Sequence, residues 1–448
     1  MRGILLSILF SISFCNTFIV SQRPIFNFLK WEEINSNHIL FQKVGPLVNT
    51  TLDASEITSF YYSGSNPAGI LRGEIFPEIS INNTDGSRIR FYGSVAIIMS
   101  ERLTIQNEFE FDNNGENDIH FKGSERVTAK GWVGYLQHST LTYNYSAGHL
   151  SLGRGNPYFF NMNESLLINS NFPPTEFIWW HHKKKWFRFD WGVLFLGEQT
   201  HNHRFMTFHR YSIEKEKWRI GFTETVLGYY EIWNSKVLGY IMPANFMLET
   251  EVNKGIKDGA NLMWLIDGMY KLDRWTIYSE FLIDDYAIDK KSPSQIAWTF
   301  GFGRKINKIL LNMEYTRINR WVGNYCDTLN IWIHEKVPIG HKLGPDAHTL
   351  QLGSYISMNK ELAIEIKTGW VEHGKGDAYY RLMEPWPQGV TCDQNFGYNK
   401  EKFPSQSNSY MFSHLIMYYY FRDRLMMNLE LGINKTTNIA FKMIIKYS

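Results

Sequence analysis

RWTIYSEFLIDD, residues 274–285, decides the fold because its side chains separate into two sets of opposite character. One set is apolar and occupies alternate positions, namely Trp275, Ile277, Phe281 and Ile283. The other set is mostly polar and lies between them, namely Arg274, Thr276, Tyr278, Glu280 and Asp284. Successive side chains of a β-strand point to opposite faces, so this alternation predicts a strand with an apolar and a polar surrounding.

The same alternation recurs in IAWTFGFG (296–303), ILLNMEYT (309–316), LAIEIKTGW (362–370) and the C-terminal NIAFKMIIKYS (438–448). Such segments are longer than the ~5–6 residues of an ordinary strand and match the ~9–11 that a tilted strand needs to cross a bilayer. Open sheet edges cannot lie in hydrocarbon, so a membrane-spanning sheet must close on itself. The sequence therefore predicts an all-β fold, a transmembrane antiparallel β-barrel whose apolar face contacts lipid while Lys442 and Lys446 face a polar lumen.

The number and spacing of the segments support a bacterial barrel. About 18 of them are predicted, starting near residues 67, 87, 101, 124, 139, 172, 184, 200, 215, 258, 272, 293, 306, 345, 358, 408, 422 and 437. Short connections all fall at one end of the predicted barrel, at residues 183–185, 214–217, 271–273, 305–306, 357–360 and 422–423. Long connections all fall at the other end, at residues 155–171, 229–257, 320–344 and 375–407. Bacterial barrels have short periplasmic turns and longer extracellular loops, which predicts the bacterial outer membrane as the location.

The N-terminal part departs from this pattern. Arg2 precedes an apolar run, Ile4 to Phe14, which is too short to span a membrane and is typical of a secretory signal peptide over residues 1–21. Residues 22–66 are predicted to form a periplasmic or plug segment with a short helix after Asp53, and residues 67–448 to form the barrel. Trp275, Trp298, Trp370 and Tyr447 are expected in the interfacial aromatic girdles.

Composition excludes some functions. The net charge of +2 is dispersed, which does not favour nucleic-acid binding. No phosphate-binding loop, dinucleotide fingerprint or CxxC pair is present, and no cofactor is expected. Cys326 and Cys392 would be exported, where an oxidising compartment allows them to form a disulfide, although two separate thiols fit equally well.

Three groups of residues could carry chemistry, but none forms a convincing site. Asp284 and Asp285 point to opposite faces of a strand, so with Asp289 they are interpreted as a solvated loop entry. His181, His182, His201, His203 and His209 are not expected to share a metal site. The alternation of connections places His181 and His182 at a periplasmic turn and His201 and His203 across the membrane from it. A hydrolase would need a pair such as Ser165 with His341 or His348, whose spacing offers no support.

Four stretches resemble the capsule-assembly Wzi family of bacterial outer-membrane proteins: LGRGNPYFFNMNESLLINSNFPPTEFIWW, EFLIDDY, MEYTRIN and IGHKLGPDAHTLQL, between residues 152 and 352. The resemblance implies an 18-stranded barrel with a small N-terminal helical portion. It also implies a lectin-like, non-enzymatic factor that helps to attach capsular polysaccharide to the cell surface. The N-terminal segment of this chain is short, with one convincing helix, so a plugged lumen does not follow from the resemblance.

The alternation of short and long connections places the family-like stretches at the extracellular end, where a surface glycan would arrive. The predicted polysaccharide contacts, chosen for stacking and hydrogen bonding to sugars, are Arg154, Trp321, Tyr325, His341, Asp346 and Trp386. The expected partners are surface polysaccharide and outer-membrane lipid. The alternative is a porin or solute channel, because a barrel of ~16–18 strands can enclose an aqueous pore.

Overall fold

The structure is a computed structural model that describes residues 70–82, 86–100, 102–113, 132–155, 165–168, 172–199, 201–231, 235–247, 260–285, 294–325, 329–335, 337–359, 362–376, 403–404, 407–421, 425–433 and 437–445. No helix in these ranges is long and apolar enough to cross a bilayer. The predicted signal peptide, the N-terminal segment and its helix lie outside the described residues, as do Lys446 and Tyr447.

Long strands make up almost all of the described chain. They are β1 (Ile70–Asn82), β2 (Gly86–Ile98), β3 (Leu103–Asp112), β4 (Val133–Tyr145), β5 (Gly148–Gly155), β6 (Thr175–Lys184), β7 (Phe187–Gln199), β8 (Asn202–Glu214), β9 (Trp218–Tyr230), β10 (Ala260–Leu272), β11 (Trp275–Asp285), β12 (Gln295–Ile306), β13 (Ile309–Ile318), β16 (Ala347–Ser357), β17 (Leu362–His373), β18 (Asn408–Phe421), β19 (Leu425–Ile433) and β20 (Thr437–Ile445). Two short elements, β14 (Ile333–His334) and β15 (Val337–Pro338), form a separate hairpin, and α1 spans Ser235–Ile241.

The long strands form one 18-stranded antiparallel sheet in which each strand pairs with its neighbours in the chain. β1 also pairs with β20, from Glu78 opposite Ile444 to Asn82 opposite Ala440. The first and last strands are thus joined, and the sheet closes into a ring. This confirms the predicted antiparallel barrel and its number of strands. The periplasmic connections are all short, as predicted, but the extracellular connections include short ones too, such as residues 83–85 and 200–201.

The two faces of the sheet carry the polarity that the sequence predicts. In β11, the outward Trp275 and Phe281 are each 38% exposed, whereas the inward Glu280 is 2% exposed. Across the described strands, the exposed large apolar residues include Ile220, Ile266, Phe300 and Leu352, while acidic and basic side chains are buried inside. A water-soluble protein has the opposite arrangement, so the outer face is suited to lipid.

One predicted boundary is wrong. A strand was expected to begin near residue 139, but β4 runs through this position from Val133 to Tyr145, and β5 begins only at Gly148. The turn lies at residues 146–147 instead. Thr140 and Thr142 continue the two-residue period and favour extended structure, so nothing at residue 139 breaks the strand. The predicted start near residue 124 lies outside the described residues.

Residues 235–247, which we call the cover segment, belong to the long connection between β9 and β10 and pack against the outer wall of the barrel. Val237, Tyr240 and Met247 are buried there against Phe205 and Val226. Phe205 and Val226 lie at outward positions, because Phe205 shares the parity of the exposed Ile213 and Val226 that of the exposed Phe222. This long loop therefore folds back along the outside of the barrel.

Candidate functional site

Two other extracellular connections fold into the barrel. Their described parts are residues 165–168 and 172–174, and residues 319–325, 329–335 and 337–346, which we call together the loop plug. Side chains of the loop plug join inward-facing residues of β6 to β13 in one apolar core, consisting of Leu166, Leu167, Ile168, Phe172, Phe177, Trp179, Leu194, Leu196, Met206, Phe208, Leu227, Met263, Leu265, Leu282, Ala297, Ile318, Val322, Trp332 and Ile339. The extracellular part of the lumen is filled along this side of the barrel.

The two parts of the loop plug contact each other directly. The indole Nε1 of Trp332 donates to the carbonyl oxygen of Leu167 over 3.1 Å. Gly340 lies so close to the same segment that a Cβ atom there would be 2.3 Å from the carbonyl oxygen of Leu166. Only glycine fits at this contact. The family-like stretches around Leu166 and Gly340 are therefore packing partners.

Polar groups of the barrel wall hold the loop plug in place. The Glu280 carboxylate accepts a hydrogen bond from the backbone N–H of Leu166 over 2.8 Å and another from the Ser165 hydroxyl over 3.2 Å. Asp284 accepts from the backbone N–H of Gly323 over 2.7 Å. Hydrogen bonds that are shielded from water are strong, so these two acidic residues fix both parts of the loop plug to β11.

A buried arginine from β8 organises the β13–β16 connection. The Arg204 guanidinium donates to the backbone carbonyls of Leu329, Ile331 and Ile333, over 2.7, 3.0 and 2.9 Å. A loop that turns inward leaves carbonyl groups away from water, and the planar fork of arginine can satisfy several of them at once. Arg204 replaces the strand partner that this loop lacks.

A layer of charged side chains lies on the periplasmic side of the loop plug. Arg210 donates to both oxygens of Asp267, over 2.5 and 2.8 Å, and Arg219 approaches the same carboxylate at 3.4 Å. Gly221 leaves room for this contact, because a Cβ atom there would be 2.4 Å from the Arg210 Nη2. All three charged residues are buried, and the one carboxylate offsets part of the positive charge of the two arginines.

Two further charged clusters line the lumen. Asp190, which lies opposite Arg210 in the β7–β8 register, accepts from Arg188 over 2.8 Å and contacts His181 over 2.7 Å. Elsewhere on the wall, Arg90 on β2 approaches Asp112 on β3 at 3.1 Å. The lumen is consequently apolar where the loop plug fills it and strongly polar below and beside it.

The structure buries most of the predicted polysaccharide contacts. Trp321, His341 and Asp346 are at most 5% exposed within the loop plug. Asp346 has a structural role, since its carbonyl and carboxylate accept from the backbone N–H groups of Gly374 and Gly376, over 2.7 and 3.0 Å. Tyr325 is half-buried and packs against Ile331 and Ile333. These rings are buried because the loop returns into the barrel instead of projecting outward.

Arg154 is separated from this group. It lies on the outward face of β5, with the exposed Leu150 and Leu152, and pairs with Glu176 over 2.5 Å. Trp386 and both cysteines of the predicted disulfide, Cys326 and Cys392, lie outside the described residues. The structure thus brings Trp321, Tyr325, His341 and Asp346 into one loop and leaves Arg154 on the lipid-facing side.

The candidate chemical groups also find other partners. The Ser165 hydroxyl contacts Glu280, whereas His348 lies on the outer face of β16 and contacts Tyr315 and Glu372, each over 3.0 Å. His201 is exposed at the β7–β8 connection, far along the strand from the buried His209. Within the described ranges, no three His, Cys, Asp or Glu side chains are grouped to hold a metal ion.

Sequence reasoning missed Arg204 as the organiser of the loop plug and gave Glu280 only as a polar-face residue. Both had a recognisable signal, a charge at a lumen-facing position of a strand next to a long connection. Leu166, Leu167 and Ile168 form an apolar run in a loop otherwise expected to face water, which was a second signal of burial.

The chain forms a closed 18-stranded ring with an apolar outer face, and its long connections lie at one end only. These features define a bacterial outer-membrane β-barrel. Neither a protein-family model nor a curated protein sequence matches the chain. Among solved structures, it is similar to Wzi, described as an outer-membrane protein involved in group 1 capsule assembly in Escherichia coli and as a carbohydrate-binding β-barrel. The TM-score is 0.58 at 10% identity, over 96% of this chain and 99% of that one.

Two further outer-membrane barrels resemble the chain less closely. A variant of OccD1 (OprD) gives a TM-score of 0.47 at 9% identity, covering 86% of this chain and 97% of that one. Pseudomonas aeruginosa OccK5 (OpdH) gives 0.48 at 8% identity, covering 86% and 99%. At such identities the similarity extends to the fold alone.

Proposed function

We propose that the protein is a non-enzymatic outer-membrane factor that binds or attaches a surface polysaccharide at its extracellular end. The observation that carries this proposal is the loop plug, whose two parts form a common apolar core with the barrel wall. A loop fixed in this way offers a preorganised surface, because it loses little conformational entropy when a ligand binds. The motif resemblance to the capsule-assembly family and the carbohydrate-binding description of the similar Wzi barrel point the same way.

The burial of the loop aromatics divides the candidate contacts into two roles. Trp321, His341 and Asp346 would act through the shape of the loop plug, since their side chains are buried. Tyr325 is half-buried and could present part of its ring to a sugar face. Trp386 lies in the long β17–β18 connection at the same end and is the second candidate for direct stacking.

Removal of the two direct candidates tests the proposal. Tyr325→Ala with Trp386→Ala should weaken binding of purified surface polysaccharide from the source bacterium by about 30-fold, the loss expected for ~2 kcal/mol at an aromatic hot spot. Met358→Ala is the control, since this exposed side chain lies in the β16–β17 turn at the periplasmic end. Unchanged polysaccharide binding, together with full retention of polysaccharide on cells that lack the protein, would refute the proposal.

A solute channel is the second candidate, favoured by the charged luminal side chains of β2 and β3. Arg88, Arg90, Glu110 and Asp112 line the wall there, and none of them belongs to the loop plug core. Single-channel recording in planar bilayers separates the two functions. A polysaccharide-binding barrel filled by its loops should conduct little, whereas steady open conductance with solute-dependent blocking would favour the channel.

A further inference from the structure

The cover segment descends far along the outside of the barrel. It belongs to an extracellular connection, yet the Phe246 ring lies 6.3 Å from the Tyr211 ring. β8 begins at Asn202 at the extracellular end and finishes at Glu214 at the periplasmic turn, so Tyr211 lies near its periplasmic end. Tyr211 pairs with Phe222, an exposed apolar residue of the lipid-facing surface. The cover segment therefore reaches the level of the membrane-spanning wall.

Beneath the cover segment, the outer wall carries polar groups that lipid would not tolerate. The register places Trp191, His209, Glu224 and Trp264 side by side on β7 to β10. Trp264 pairs with Ile283, which has the parity of the exposed Phe281, so all of these residues lie at outward positions. His209 and Glu224 are nevertheless at most 2% exposed. A bare carboxylate in hydrocarbon is costly, and such a residue is expected only where other groups enclose it.

Specific hydrogen bonds attach the cover segment to this polar strip. The Glu224 carboxylate accepts from the backbone N–H of Met247 over 2.8 Å. The Trp191 Nε1 donates to the carbonyl oxygen of Ile241 over 2.8 Å, which satisfies an acceptor at the C-terminal end of α1. The wall and the cover segment thus complement each other, since each supplies partners for polar groups that would otherwise contact lipid.

The exposed side chains of the cover segment are mainly apolar, and the amide of the exposed Asn245 donates to the carbonyl oxygen of Gly239 over 3.3 Å. Leu238, Met242 and Phe246 are about half exposed, while Val237, Tyr240 and Met247 point to the wall. The exposed set continues the apolar outer surface formed by Ile220, Phe222 and Ile266 on the strands nearby. A segment in water would present polar side chains on this face.

We propose that the cover segment lies within the hydrocarbon layer of the membrane, with Leu238, Met242 and Phe246 in contact with lipid acyl chains, and that it encloses His209 and Glu224 on the membrane-facing wall. The binding partner is hydrocarbon, as the apolar character of the exposed face and its continuity with the strand surface require. This inference is independent of any polysaccharide binding.

Spin labels can test the depth of the cover segment in the full chain reconstituted into phospholipid vesicles. Cysteine would replace Leu238 or Phe246, with Ile266→Cys as the lipid-facing control and Lys342→Cys as the extracellular-loop control, after Cys326 and Cys392 are changed to Ser. In each label, collisions with oxygen report hydrocarbon and collisions with a water-soluble nickel complex report water. The labels at 238 and 246 should have an oxygen-to-nickel ratio within about twofold of that at 266 and about tenfold above that at 342, because water is scarce in the hydrocarbon core.

Other results would overturn the proposal. A ratio at 238 and 246 equal to that at 342 would place the cover segment in water. Labels accessible to neither reagent would mean that a second protein copy covers this face, which excludes lipid as the partner. A second measurement does not depend on labels: Phe246→Arg should lower the folded-to-unfolded ratio in vesicles by about 30-fold or more, the cost of arginine facing lipid at depth. Glu335→Arg, on the exposed loop, should leave it unchanged, and equal effects of the two would refute the proposal.

Discussion

The β13–β16 and β9–β10 connections both start at the extracellular end of the barrel, but they fold back in opposite directions. The first enters the lumen and buries Trp332 against Leu167, with polar residues such as Glu335 and Lys342 on its exposed side. The second follows the outer wall and leaves Leu238 and Phe246 exposed. Both bury apolar side chains against a strand, so burial alone does not distinguish them. The character of the exposed side does, because it reflects the medium outside.

Trp332→Ala should have the largest effect on stability, because it releases the luminal loop. Removing a buried tryptophan leaves a cavity and deletes the hydrogen bond to Leu167, a loss of about 3–5 kcal/mol. We expect a lower free energy of unfolding in vesicles and faster proteolysis of residues 319–346. Trp186→Ala is the matched control, because this ring is 50% exposed in a periplasmic turn. Equal effects of the two substitutions would contradict the buried role of Trp332.

Arg204→Met should have the next largest effect. The substitution keeps an apolar stem but leaves the carbonyls of Leu329, Ile331 and Ile333 without their charged donor, which should cost about 2–3 kcal/mol. Hydrogen exchange of the loop amides would rise, while exchange in the cover segment would stay as in the unmodified protein. Arg204→Lys tests the planar guanidinium, since one ammonium group cannot reach all three backbone carbonyls at once. Full protection in the Lys variant would show that charge alone is sufficient.

Glu280→Ala should loosen the other part of the loop plug. It removes the acceptor for Leu166 N–H and Ser165 Oγ, and an unsatisfied buried donor costs about 1–3 kcal/mol. Amide exchange at Leu166 should accelerate. Glu280→Gln keeps one acceptor oxygen and should show a smaller change, so an identical loss in both variants would mean that the carboxylate charge, rather than the hydrogen bonds, holds the loop.

Trp191→Phe should have the smallest effect, and it tests one hydrogen bond that attaches the cover segment to the outer wall. It preserves the apolar ring but deletes the hydrogen bond to the Ile241 carbonyl, which should lower the free energy of unfolding by about 1 kcal/mol. Trp298→Phe is the control, because no hydrogen bond from its indole is found within the described part of the chain. A difference below the measurement error between the two variants would remove this bond from the attachment of the cover segment.

The barrel could be predicted from the sequence because the two-residue period is a local property of each strand. The alternation alone places Trp275 on the apolar face and Glu280 on the polar face, and β11 confirms both positions. The parity of short and long connections could also be counted without a structure. The loops could not be treated in this way, since a loop has no period that relates its residues to an inner or an outer side.

One signal in the sequence would have improved the prediction of the loop on the outer wall. Glu224 interrupts the outward apolar series Trp218, Ile220, Phe222 and Val226, which indicates that something other than lipid covers that position. The direction taken by Trp321 and His341 depends instead on contacts far apart in the chain, such as Gly340 with Leu166. Residue type alone does not decide the role of Trp321, because a tryptophan in a loop can stack on a sugar or anchor the loop itself.

The seam between β1 and β20 has a consequence for how the cylinder is sealed. Within the described residues it holds five residue pairs, whereas β1 with β2 has thirteen and β19 with β20 has nine. The described part of this join thus has fewer inter-strand pairs than its two neighbours, and a lateral split parallel to the strands is expected to start there. The pairing of β20 with β1 therefore seals the wall, and the ring stays open until these two strands have met.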